Sequence, residues 1–351
     1  MSRETSTPIP RPAARKGSPS IPERMAAVIQ GRYADRLGSA LALVELPVPM
    51  PGKGQVLVRV EAAGIDRGVW HLATGRPLAI RLGFGFSGPR QPVPGLDLAG
   101  TVVAVGEGVT EFEVGEPVFG TGVGAWAAYA IAPASSLARR PEGLDAVTAA
   151  ALPVSGCTAL QAVRDHARVG AGERVLVIGA SGGVGSYVVQ LAVAAGADVT
   201  GVASGAKRDF VLGLGARDVI DHRTEEIGAR GGSYDVVIDI AGNRPLAELR
   251  GVLAQRGCLL IVGGEHGGPL LGGIGRQFWA QLIAPFTGQR MGGMFGRATR
   301  GDLAVLAEAV GAGSLRPAVT RTYPLAQAGA ALDDLADGRL SGKAVILVRE
   351  G

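Results

Sequence analysis

The sequence predicts an α/β chain with a doubly wound parallel sheet in its middle and a mostly antiparallel, barrel-like β domain on either side of that middle. Three observations carry the prediction. Between Val175 and Val262 short apolar runs alternate with helical runs, and that alternation calls for parallel strands joined by right-handed crossovers. From Met25 to about Val147, strand-like runs follow one another without a long helix between them. From Glu173 to Ala195 a buried strand, a glycine turn and a helix come in immediate succession.

In chain order, residues 1–24 are polar, proline-rich and basic, with no apolar stretch of the kind a secretory signal carries, and are expected to be a disordered tail. Residues 25–147 form the first part of the β domain. Its strands are expected at Ala26 to Gln30, Leu41 to Val48, Gln55 to Ala63, Gly100 to Val105, Pro117 to Phe119 and Trp126 to Ile131, punctuated by Gly and Pro. Leu78 to Arg90 is apolar and glycine-containing, and reads as a cover over a pocket or as a membrane-surface contact.

Residues 148–298 read as the nucleotide domain. Helical spacing over Ala146 to Ala167 leads into Val175–Ile178, a run suited to a strand covered on both faces. Gly179 to Gly185 follows at its carboxyl end. Ala180 departs from G-x-G-x-x-G, while Gly182 and Gly185 keep the positions that let backbone approach a phosphate and pack helix on strand. Ser181, Gly182, Gly183 and Val184 are therefore the candidate pyrophosphate contacts, at a helix start with unpaired N–H groups. Further strands are expected at Val199 to Ala203, Asp218 to Ile220, Asp235 to Ile240 and Cys258 to Val262, with helices at Lys207 to Leu214 and Pro245 to Ala254. Arg276 to Pro285 is apolar and aromatic, and Arg290 to Phe295 adds a strand. Residues 299–351 return to the first domain, with helices at Asp302 to Ala312 and Leu325 to Asp337 and strands at Ala318 to Tyr323 and Ala344 to Val348.

Composition narrows the function classes. A chain of 351 residues, 47% hydrophobic with 56 glycines, suits two domains with tight turns. An excess of only four positive charges is no nucleic-acid footprint. Cys157 and Cys258 lie far apart, so neither a disulfide framework nor a cysteine-bound structural zinc is supported, and a reducing cytoplasm is expected. No run approaches the roughly 20 apolar residues a membrane span needs.

Several stretches, in order, resemble the medium-chain dehydrogenase/reductase superfamily. They are Pro94-Gly95-Leu96-Asp97-Leu98-Ala99-Gly100-Thr101-Val102, Gly106-Glu107-Gly108-Val109, Gly115-Glu116-Pro117-Val118-Phe119-Gly120, Leu152-Pro153-Val154-Ser155-Gly156, the Ala180–Gly185 loop, Leu214-Gly215-Ala216, Val219-Ile220-Asp221 and Ser341-Gly342-Lys343-Ala344-Val345. The likeness covers nearly everything after Met25 and is to the zinc-independent quinone oxidoreductase, or zeta-crystallin-like, branch. It implies a GroES-like catalytic domain with a Rossmann domain inserted. In zinc-using relatives a cysteine falls at about Asp66 and Gly-His-Glu falls on Gly95-Leu96-Asp97; here the histidine slot is leucine, which cannot ligate, and no metal is expected.

The strand end that carries Asp or Glu in NAD-binding folds is Ala203-Ser204-Gly205, so Ser204, with Lys207 and Arg208 close behind, favours the 2′-phosphate of NADPH. His222 stands where relatives often have tyrosine near the adenosine. The resemblance also places Ala241, Gly242, Val262 and Gly263 beside the nicotinamide and brings Lys343 towards the cofactor or the cleft. For the acceptor, Gly64 to Arg76 offers Asp66, a proton donor if the cleft desolvates it or a turn aspartate bonding its own backbone, together with Trp70, a stacking surface or a core-packing aromatic, and His71, a proton donor or a structural residue. Tyr129 is a further candidate donor.

The expectation is an NADPH-dependent reductase of a quinone or another α,β-unsaturated carbonyl. An enoyl-thioester reductase and a low-turnover NADPH sensor are the rivals. A homodimer is expected through Gln277 to Phe295, with neither nucleic acid nor stable membrane insertion involved.

Overall fold

The computed structural model describes residues 21–348 apart from 230, 243, 266 and 267, so most of the predicted tail lies outside the described residues. Two sheets organise the chain. The middle of the sequence builds a six-stranded, all-parallel sheet in the spatial order Asp218–Asp221, Asp198–Ala203, Arg174–Ile178, Tyr234–Asp239, Leu253–Ile261, Arg290–Gly293. Past the exposed Arg174 the central strand is apolar, because both its faces are covered. Val175 and Val177 pack with the helical side that includes Cys157 and Val188, whereas Leu176 and Ile178 join Ile220, Val237 and Leu259 on the other. Each such burial contributes about 1.5–3 kcal/mol. After Arg174–Ile178 the chain adds strands outward in one direction, then returns to its other side with Tyr234–Asp239. That reversal opens a crevice at the carboxyl ends of the two strands, where doubly wound sheets take ligands.

The second sheet has seven strands, ordered Val319–Pro324, Lys343–Leu347, Gln55–Ile65, Asp97–Val105, Pro117–Thr121, Leu137–Arg139, with Tyr129–Pro133 also on Gln55–Ile65. Its pairings are antiparallel except the one between the last two strands of the chain. Arg24–Gln30 and Leu41–Pro47 form a separate hairpin. Lys343–Leu347 pairs Ala344 with Ile65, and so delivers residue 343 to the end of a strand 278 positions earlier.

Three segments differ from expectation. The helix predicted to run to Ala254 ends at Gly251, and Leu253–Ile261 is strand, because Leu253 already pairs with Tyr234 across a register shift. The stretch after Gly64 contains a helix, Arg67–Thr74, started by the Asp66 side chain accepting from the Val69 N–H. Ile274–Ile283 is a helix whose Phe278, Trp279 and Leu282 face outward, since the sheet needs only one of its faces.

Candidate active site

The central strand ends in a turn that glycine alone accommodates. Gly179 sits at φ 87°, in the left-handed region. A Cβ on Gly185 would lie 2.1 Å from the Gly179 carbonyl oxygen, so helix Gly183–Ala194 begins pressed against the strand it follows. Gly182 precedes that helix and provides no side-chain cap. Its first N–H groups and positive dipole end therefore suit a diphosphate, with Ser181 and Val184 on the same turn.

Two further strand ends close on this point. The Ile240 and Ala241 N–H groups both bond to the Ile178 carbonyl, at 3.0 and 3.2 Å. A Cβ on Gly263 would stand 1.8 Å from the Ile240 carbonyl oxygen, and one on Gly242 2.6 Å from the Gly263 backbone. Gly179, Ala241, Gly242 and Gly263 thus gather small residues at the ends of adjacent strands, where the backbones approach one another closely. Val262, half-buried, continues the group.

The adenosine end is different. Ser204 is buried at the end of Asp198–Ala203, and a Cβ on Gly205 would lie 2.5 Å from Asp221 Oδ2. Lys207 donates to the Gly338 and Leu340 carbonyls at 2.9 and 2.5 Å, and burial followed by the nearby Arg223 cation holds its ammonium below the ordinary lysine value. Arg208 donates to Val219 O and to Asp218. Both basic side chains offered by the sequence are therefore engaged with protein. His222 is exposed and touches the Ala203 carbonyl only through its own N–H.

On the acceptor side, Asp66 is 5% exposed. Its Oδ1 caps the helix at 3.0 Å from the Val69 nitrogen, and its Oδ2 is buried without a hydrogen-bond partner. The backbone-bonding role expected for a turn aspartate and a free carboxylate oxygen coexist in one side chain. Trp70 follows on that helix, edge-on to His71 at 5.1 Å and beneath the Arg67 guanidinium at 5.2 Å. His71 Nδ1 meets the Arg76 carbonyl at 2.8 Å and Nε2 meets Glu265 Oε1 at 3.1 Å. Both partners are acceptors, so the ring bonds both at once only when it carries two protons. Tyr129 is not with this group. It packs in an apolar cluster with Met25, Leu57, Val93 and Val103, because its strand turns that face inward.

Lys343 links the two sides. It is 1% exposed, with Nζ 2.9 Å from the Ile65 carbonyl, 3.0 Å from Ser155 Oγ and 3.7 Å from Asp97 Oδ2. Asp97 is fully buried and accepts from the Val154 N–H through Oδ1, while the 3.7 Å gap leaves Oδ2 an ion-pair partner rather than a hydrogen-bonded one. Burial pushes the Asp97 carboxyl up to about 7. The Lys343 ammonium opposes that rise and the Asp66 carboxylate adds to it.

Comparison with known proteins fits this geometry. Residues 52–142 match the alcohol dehydrogenase GroES-like domain and residues 214–346 the zinc-binding dehydrogenase family. A chloroplast envelope quinone oxidoreductase homolog of Arabidopsis thaliana is 31% identical over 335 residues, covering 90% of this chain and 97% of the relative. The chain belongs to the medium-chain dehydrogenase/reductase superfamily, in its quinone oxidoreductase branch. Among solved structures, the quinone oxidoreductase of Coxiella burnetii superposes with a TM-score of 0.81 at 27% identity, over 93% of this chain and all of that one. A mycobacterial protein solved with NADPH superposes at 0.76 with 25% identity, over 92% and 99%. This medium-chain reductase is accordingly an oxidoreductase that uses a pyridine nucleotide.

The zinc in one matching family's name finds no donor at the histidine slot. Leu96, in the histidine slot, packs in an apolar cluster. No group of three or more His, Cys, Asp or Glu suited to a metal occurs among the described residues. Burial, followed by the Asp302 and Asp97 carboxylates, pushes the Cys157 thiol up to about 12, so the thiolate that zinc prefers is disfavoured.

Three residues of this candidate site escaped the sequence reading. Asp97 and Ser155 lay inside family-like motifs and drew attention as pattern rather than as polar groups. Glu265 had no local signal, because its contact with His71 spans 194 positions.

Proposed function

We propose that this oxidoreductase is a zinc-independent, NADPH-dependent enzyme that reduces a quinone or another α,β-unsaturated carbonyl. The observation that carries the reading is the meeting of two half-sites. Gly179, Ala241 and Gly263 form a floor for a flat ring, and the helix led by Asp66 is joined to the chain just beyond that floor by the 3.1 Å His71–Glu265 contact. The relatives named as quinone oxidoreductases support the acceptor class.

Bound NADPH supplies the hydride. The chain's residues do the positioning. The Gly182–Val184 turn holds the diphosphate and the strand ends fix the ring plane, while Trp70 packs against the apolar core of the β domain with Arg67 over its ring. Asp66 Oδ2 is one of two buried polar atoms at the start of this helix without a hydrogen-bond partner, the other being Trp70 Nε1, and we take Oδ2 as the atom that exchanges a proton with the acceptor oxygen. For NADPH over NADH, support comes from Ser204 in the slot an acidic residue would fill. Lys207 keeps one ammonium hydrogen beyond the two it donates, and Arg223 lies close enough to depress it. Arg208, committed to Val219 and Asp218, contributes less.

The same reading takes residues 148–298 as the dinucleotide domain and places the protein in the cytoplasm, a compartment that suits two free, buried cysteines. It also pairs two copies through the sheet edge Arg290–Gly293, beside the exposed Phe278, Trp279 and Leu282. Among the described residues no helix is long and apolar enough to cross a membrane. The test is NADPH oxidation by purified protein against a panel of quinones and enones, with NADH in parallel and metal analysis of the same sample. Rapid turnover with a simple quinone is expected. Activity confined to acyl thioesters, or tight NADPH binding without turnover, would overturn the assignment.

A further inference from the structure

We propose that Lys343 is a positioning residue of the hydride-transfer site, a buried cation that holds the acceptor-side turn at Asp66 and the coenzyme-side turn at Gly183 in a single register. The inference rests on the coenzyme reading above.

Lysine is almost never fully buried unless paired, because stripping water from an ammonium is costly. Here the cost is met by contacts that each lead directly into the site. Ile65, whose carbonyl accepts from Nζ at 2.9 Å, is the residue before Asp66. Ser155, whose hydroxyl lies 3.0 Å from Nζ, stands 3.3 Å from where a Cβ on Gly183 would be, and the Lys343 Cδ stands at 3.2 Å from the same point. One residue earlier, the Gly342 N–H donates to the Ser181 carbonyl at 2.8 Å. A single two-residue segment of the C-terminal strand region therefore touches both ends of the pyrophosphate turn and the residue ahead of Asp66.

Bracing alone does not call for the charge. A methionine of similar length would fill the space without desolvating an ion, and replacing buried ion pairs by apolar groups is often neutral or stabilising. What methionine lacks is direction. An ammonium fixes two acceptors and a carboxylate around itself at set distances, and so sets the separation between the two half-sites. Asp97 extends the same tie, since its other oxygen accepts from the Val154 N–H, one residue before Ser155.

The experiment uses the full-length protein and three variants of one step. Lys343→Met is compared with wild type in single-turnover hydride transfer from NADPH, unlabelled and deuterated at the transferred position, to a simple quinone. Dissociation constants are measured for NADPH and for 2′,5′-ADP, which fills only the adenosine half. Transfer is expected to slow about a hundredfold, the scale of a misplacement near 1 Å, with an undiminished isotope effect. The NADPH constant should rise while that of 2′,5′-ADP holds. A transfer rate per bound coenzyme equal to wild type, whatever the change in melting temperature, would overturn the proposal. Ser155→Ala, which removes one acceptor and keeps the Lys343–Asp97 pair, decides the matter if the methionine variant does not fold. About fivefold slower transfer supports the assignment, and an unchanged rate overturns it. Lys343→Arg should recover part of the lost rate by restoring charge and donors, and recovery no better than methionine would count against it. Failure of wild type to bind NADPH would sink the coenzyme reading and this inference together, whereas normal binding with unaltered variants sinks only the inference.

Discussion

Asp97→Asn should remove a pH dependence of stability that the wild-type protein carries. Asp97 is fully buried between Lys343 and Asp66, and burial is the main cause of its rise from 3.8 to about 7. The folded protein therefore binds this proton more tightly than the unfolded chain does. Stability from that proton is fully present below 3.8, declines as pH rises towards 7, and falls no further above it. At about 1.4 kcal/mol per unit, the full span amounts to about 4 kcal/mol, of which about 3 kcal/mol falls between about pH 5 and about pH 8. Asparagine keeps an acceptor for the Val154 N–H and cannot ionise, so it lacks this dependence. Urea unfolding of both proteins at the two pH values gives the answer through the difference between them, which cancels the groups that do not interact with Asp97. The variant should gain on wild type by about 3 kcal/mol as pH rises over that interval. A difference that stays constant within about 0.5 kcal/mol would mean Asp97 is ionised across the range, and the burial argument would be wrong.

Other expectations follow from separate parts of the site. Gly185→Ala places a methyl 2.1 Å from the Gly179 carbonyl oxygen, so NADPH should lose its ability to raise the melting temperature, measured by thermal shift with and without coenzyme. Lys207→Ala combined with Arg223→Ala should lower the ratio of NADPH to NADH efficiency by about tenfold or more, read from kcat/KM for each coenzyme, because charge-assisted bonds to a phosphate are lost. Glu265→Gln should weaken the contact between the helix Arg67–Thr74 and the strand end beyond Gly263, raising KM for the acceptor more than that for NADPH in steady-state kinetics. Prolonged treatment with a strong chelator should leave turnover unchanged, since Leu96 supplies no metal donor.

The parts of this site that were legible in the sequence are those built from consecutive residues. Val175 to Gly185 announces itself because strand burial, the left-handed turn and the helix start are all local demands, and each restricts residue type at fixed spacing. The parallel sheet follows for a similar reason, since alternating strand and helix leave few topologies. Leu253 shows the limit of this reasoning. Helical spacing through Ala254 was a fair reading of the local pattern, yet pairing with Tyr234 turns the last residues into strand, and such pairing has no local mark.

The acceptor side was harder to read for a related reason. Asp66 was seen as either a turn residue or a site residue; the fold shows the turn role in the oxygen spent on the helix cap, and leaves the other oxygen without a hydrogen-bond partner. Lys207 and Arg208 looked available because sequence shows charge and not the carbonyls and carboxylate of Gly338, Leu340, Val219 and Asp218 that take it up. Lys343 is the reverse case. The resemblance brought it towards the cofactor or the cleft, and antiparallel pairing of Ala344 with Ile65 draws it inward to a carboxylate 246 residues away by number, from Asp97 to Lys343. Contacts of that span follow from how the two sheets meet. In the proposed site they set charge state and spacing beside the coenzyme, so substitutions at Asp97, Ser155 and Lys343 test that proposal more directly than changes to the glycine turn, which test coenzyme binding alone.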